Sequence, residues 1–154
     1  MNINTILARY VLGLLPVDEL PGIAFDAIQA GHDSPSLRQL AGTSEHEGGE
    51  IHRLFAKVIC ELALPIPSTA EAGLVLARDI AQEVLSGAVL PYEGAKRIWD
   101  QIYTRLPELK QLKPFVGLAS EYEDDVEHRD DYSRRIIEKC ESLVEMNSTR
   151  QPRQ

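Results

Sequence analysis

Residues 68–86 read STAEAGLVLARDIAQEVLS, and their reading decides the fold. Ser68 and Glu71 stand three apart, the spacing of a capping box, in which side chain and backbone at a helix start satisfy each other's donors. Ala70, Leu74, Ala77, Ile80, Ala81, Val84 and Leu85 follow at steps of three and four, the spacing of one helical face. Val75 and Leu76 fall outside that face, so this helix is apolar over more of its circumference. Gly87 stands beyond its end. A helix apolar over so much of its surface must be covered by other elements, which predicts a central place among further helices.

The flanking sequence supplies those helices. Upstream, residues 4–15 form an apolar segment stopped by Pro16. Asp18 opens a second helix with Pro21 in its first turn, and Gly31 ends it. Ser34 caps a short third helix with Pro35 at its first position, closed by Gly42. Ser44 and Glu47 repeat the capping-box spacing, but Gly48 and Gly49 weaken a first turn, so the fourth helix can begin as late as Glu50. Its stripe is Ile51, Leu54, Phe55, Val58, Ile59 and Leu62, broken by Pro65 and Pro67. Downstream, Pro91 opens a sixth helix that ends before Pro107. A short turn is expected near 108–112, a short helix at 115–123 and a last helix at 127–146, with Tyr132, Ile136, Cys140, Leu143 and Val144 on its apolar side. No strand pattern and no repeat appears. The expectation is an all-α fold, a compact irregular bundle of about six or seven helices. Residues 1–146 form one domain, and 147–154 form a disordered polar tail.

Composition narrows the function classes. The chain has 154 residues, 44% apolar and 26% charged, with a net charge of −8. That size and balance suit one globular domain without disulfide or metal staples. The acidity counts against nucleic-acid binding, which draws on Lys and Arg at phosphates, and against anionic membranes. It suits a basic protein partner. Cys60 and Cys140, outside any metal-like cluster, read as reduced core residues of a cytoplasmic protein. The apolar stretch 3–15 is short and holds Arg9, so it is neither a signal peptide nor a membrane span.

Few residues point to chemistry. His46 and His52 flank Glu47 and Glu50, but six residues place them about 240° apart on a helix, unlike the four-residue step of a zincin. Residues 121–131 hold seven acids: Glu121, Glu123, Asp124, Asp125, Glu127, Asp130 and Asp131. The structural reading is a run of acids complementing a helix N-terminus, with Asp124 or Asp125 as the cap of the last helix. The functional readings are a cation site or a docking surface for a basic partner. The run lacks the spaced oxygen ligands, central Gly and distal Glu of an EF-hand. Tyr92, Trp99 and Tyr103 share a helical face with Ala95, Ile102 and Leu106, the pattern of a core stripe. If Tyr92 and Trp99 are instead exposed, they are interface anchors. Residues 36–57 resemble a helix-turn-helix with too long a turn and only Arg53 and Lys57 as cations near the second helix. A metal or enzyme site would need His128 to converge with Glu121 or Glu123. No catalytic residue, metal ligand or cofactor is assigned, and the oligomeric state is not set by the sequence.

The segments PYEGAKRIW (91–99), LPEL (106–109) and PFVGLASEYEDD (114–125), with DSPSLRQLAG (33–42), resemble those of a group of small bacterial all-helical proteins. That resemblance covers about two thirds of the chain. It implies a bacterial source and a helical fold, and it carries over no catalytic residue, since no activity is established for the group.

Overall fold

The computed structural model describes residues 2–43 and 48–149. It is all-helical, with eight α-helices among the described residues rather than six or seven. They are α1 (Ile3–Val11), α2 (Leu20–Gln29), α3 (Pro35–Ala41), α4 (Gly48–Glu61), α5 (Thr69–Leu85), α6 (Pro91–Arg97), α7 (Lys113–Asp124) and α8 (Arg129–Thr149). Short 3₁₀ turns lie at Val17–Glu19, Lys110–Leu112 and Val126–His128, and a π-helical segment at Ile98–Tyr103. The packing divides into two compact units, one of residues 9–67 and one of residues 1–8 with 68–154, each described as far as its residues allow.

In the 9–67 unit, α2, α3 and α4 pack together. The α4 stripe lies as its spacing predicts over Ile51, Leu54, Phe55, Val58 and Ile59, which are buried, while Leu62 is half-buried just past the helix end. The Phe55 ring meets Tyr10 edge-on at 4.9 Å. Ser34 caps α3 by accepting from the Leu37 N–H at 3.1 Å. A carboxylate also reaches that helix start, from the far end of α4. Glu61 accepts from the Ser36 N–H at 3.0 Å and from the Ser36 hydroxyl at 2.5 Å. These bonds hold the Glu61 carboxyl below its usual range, the Ser36 hydroxyl being the larger cause. Cys60 is exposed, contrary to the expectation of a core thiol, because it falls on the outer side of α4 opposite Leu54 and Val58.

Four helix ends share one geometry. After α1, α2, α4 and α5 the chain turns through a left-handed residue, and the next N–H bonds back five residues. The bonds are Leu14 to Arg9, His32 to Ala27, Leu64 to Ile59 and Ala88 to Glu83. Three of the left-handed residues are Gly13, Gly31 and Gly87, while the fourth is Ala63, at φ 51°. Glycine takes that conformation without steric cost; alanine does not.

In the other unit, α5 packs on α6 and α8, and α7 on α6 and α8. The capping box forms as predicted, with Ser68 and Glu71 satisfying each other's N–H groups at 3.1 and 3.4 Å. The buried face of α5 is rotated from the expected one. Ala72, Gly73, Leu76, Ala77, Ile80, Ala81 and Val84 are buried, Leu74 is half-buried and Leu85 is exposed. The cause is close approach at glycine. A Cβ on Gly73 would lie 2.7 Å from Leu106 Cδ1 and 2.9 Å from Leu109 Cδ1. One on Gly94 would lie 2.3 Å from Val84 Cγ2. Hydropathy alone does not reveal that these two glycines mark the contact line.

The sixth helix is not uniform. Gly94, Ala95, Ile98, Ile102 and Leu106 are its buried residues, and four of them repeat every four positions. In an α-helix each step of four overshoots a full turn by about 40°, so such a stripe drifts off the core. The π segment winds wider, as the Thr104 N–H bond to the Trp99 carbonyl at 3.1 Å shows, and brings Ile102 and Leu106 back. The last helix continues to Thr149, three residues past its expected end. Buried Cys140 has its thiol pushed up to about 12 by desolvation, so this thiol stays protonated and is not a nucleophile at neutral pH.

Candidate functional site

The acidic run and the aromatic row of the sixth helix meet on one face built by α6, the π segment, α7 and the start of α8. Tyr92, Trp99 and Tyr103 are half-buried rather than core, because the glycine-lined track of Gly94, Ile98 and Ile102 faces inward instead. Tyr92 stacks on Tyr122 with ring centroids 4.5 Å apart and planes 9° from parallel. The Arg129 guanidinium lies over Tyr122 at 4.6 Å and donates to the Tyr122 carbonyl at 3.0 Å. The Lys96 ammonium lies 4.1 Å over the Trp99 ring and 3.6 and 3.8 Å from Glu123 and Asp100. Sequence reasoning missed Tyr122, Lys96 and Arg129 as members of this face. The signal was there, since Tyr122 stands inside the acidic run.

The seven acids divide into two sets. Glu123 accepts from the Tyr92 hydroxyl at 2.6 Å, which pushes the phenol up to about 12 and the carboxyl down. Asp125 is bound by the His128 ring at 2.8 Å and by the Tyr132 hydroxyl at 2.9 Å, and both contacts lower its carboxyl. Asp131 pairs with Arg134. Asp125 thus ties the α7–α8 junction through the His128 ring and the Tyr132 hydroxyl. Glu121, Asp124, Glu127 and Asp130 are exposed, and among the described residues no ion pair or hydrogen bond engages their carboxylates.

Their positions change the electrostatic reading. Asp130 and Asp131 sit in the first turn of α8, where the helix dipole favours acids. Glu121, Glu123 and Asp124 sit in the last turn of α7, where it opposes them, and no basic residue shares that turn. Complementing a helix N-terminus therefore does not account for the first part of the run.

His128 is held by Asp125 rather than meeting Glu121 or Glu123, and among the described residues no three His, Cys, Asp or Glu side chains group to hold a metal. His46 and the Ser44/Glu47 box lie outside the described residues. In the segment compared with a helix-turn-helix, Arg53 is paired with Glu50 and Arg38 with Asp33, and Lys57 is exposed. Among the described residues no helix is long and apolar enough to cross a membrane. No protein-family model matches the chain, and no curated protein or solved structure matches it either, so the likeness noted in the C-terminal half brings no function with it.

Proposed function

We propose that the chain is a cytoplasmic protein-interaction module whose α7–α8 acidic face, flanked by Tyr92 and Trp99, docks a basic protein partner. One observation carries this reading: Glu121 and Asp124, without an ion-pair partner among the described residues, stand at the C-terminal end of α7, where the dipole makes negative charge unfavourable. Acids kept at the wrong helix end weaken the free protein, and a cationic partner relieves that cost. The half-open aromatics beside them are the residue types that anchor interfaces. Partner charge would act mainly through the association rate and its salt dependence.

The test separates stability from binding. The triple variant Asp124→Lys, Glu127→Lys, Asp130→Lys is compared with the parent chain in pull-downs at low and high salt. A partner captured by the parent at low salt, released at high salt and missing from the variant supports the reading. In addition, Asp124→Lys alone should stabilise the free protein while weakening capture. Equal capture by parent and triple variant removes the acidic face as a docking surface.

A further inference from the structure

A groove of ≈ 360 Å³ runs between α7 and α8, within the size range of small-molecule sites. Pro114 and Gly117 lie along its α7 side, and its charged lining is Glu121, Arg135, Glu138 and Lys139. Two independent observations set it apart. The first is Gly117, the fifth of the twelve residues of α7. Glycine inside a helix costs stability. Gly73 and Gly94 are explained by close packing, and Gly13, Gly31 and Gly87 by left-handed backbone. Gly117 has neither reason, since a Cβ there would meet nothing within 4 Å; Gly22, Gly48 and Gly49 are equally open but lie in the first turns of α2 and α4, whereas Gly117 lies past the first turn of α7 and lines the groove. What its missing side chain does is keep the groove open. The second observation is charge. Two carboxylates and two cations line one groove, yet none of the four side chains forms an ion pair or hydrogen bond with another described residue.

We propose that this groove binds a small zwitterion of the short-peptide type, bearing a free ammonium and a free carboxylate. An anion alone would meet Glu121 and Glu138, and a cation alone would meet Arg135 and Lys139, whereas a zwitterion complements both pairs. Arg135 and Lys139 are one turn apart on α8, about 6 Å between their Cβ atoms. Pro114 and Glu121 are seven residues apart on α7, about 10 Å. An extended tripeptide, at about 3.3–3.6 Å per residue, spans that length.

The experiment is an amide NMR titration of the full chain with triglycine, N-acetyltriglycine, triglycinamide and sodium chloride at matched ionic strength. Triglycine should give saturable shifts at Gly117, Glu121, Arg135 and Lys139 in the millimolar range. Capping either end removes one set of exposed ion contacts and should weaken binding roughly two- to fivefold. Gly117→Leu, at an exposed helical position, should abolish the shifts with the fold intact. Asp124→Lys should leave them unchanged, which separates this site from the docking face. Absence of saturation, equal binding of the capped peptides, or the same shifts with salt alone would each overturn the proposal.

Discussion

Replacing Gly94 by alanine adds one methyl group, and the structure fixes where it goes. It would lie 2.3 Å from Val84 Cγ2 and 3.6 Å from Ile80 Cγ2. Val84 is β-branched and sits inside α5, so its χ1 has one strongly preferred well and the methyl cannot swing away. The backbones of α5 and α6 must separate instead. Overpacking of this kind costs about 1–3 kcal/mol. Alanine regains about 0.5–1 kcal/mol of helix stability over glycine, leaving a net loss of about 1–2 kcal/mol. For a chain of this length that lowers Tm by roughly 2–8 °C. The same substitution at Gly117 meets nothing and should raise Tm by roughly 1–4 °C. Calorimetry on the two variants therefore reads opposite signs for one chemical change. In a Val84→Ala background the Gly94→Ala loss should shrink or reverse, because the obstructing methyl has gone. A Gly94→Ala variant as stable as the parent would refute the close approach of α5 and α6, and a destabilised Gly117→Ala would refute the open floor of the groove.

Three further outcomes are expected. Ala63→Gly should stabilise the protein by about 1 kcal/mol by relieving the left-handed alanine after α4, and an unchanged urea midpoint would contradict that strain. Glu61→Gln should flatten the acid limb of the stability curve. The folded carboxyl titrates below its usual range, so its contribution is present above the unfolded pKa and fades as pH falls through the folded one; identical acid limbs for variant and parent would dismiss the Ser36 contact. In an alkaline absorbance titration one phenol should ionise near 12, and Tyr92→Phe should remove that step. Because the folded phenol is raised from about 10, the stability that Tyr92 adds is intact below that pH and is lost as pH climbs to about 12.

What could be read in advance follows a physical line. Caps, prolines and terminal glycines act within a few residues, so Ser68 with Glu71, Ser34 with Pro35, and Gly31 and Gly87 were legible. The α4 stripe was legible because a fully alternating amphipathic helix has one way to bury itself. The rotation of α5 was not, because a helix apolar on several sides lets its neighbours choose the face, and Gly73 and Gly94 made that choice. The π segment was hidden because no proline or glycine pair marks it, although the four-residue spacing from Gly94 to Leu106 was its trace. The acids were visible as a run, but their opposed relation to the α7 dipole depends on a helix boundary one residue wide between Asp124 and Asp125. The long-range cap of Glu61 on Ser36, 25 residues away, had no local sign.

Trp99 is the chain's single tryptophan, and it lies half-open in the π segment beneath the Lys96 ammonium. The chain's one indole therefore belongs to the unit of residues 1–8 with 68–154, and the unit of residues 9–67 has none. Its emission watches only the first of these, whereas circular dichroism sums the helices of both. Superimposable unfolding curves from the two signals would mean that the chain melts as one cooperative body. A dichroism change that precedes or trails the emission would make the same indole a built-in clock for the order in which the halves come apart.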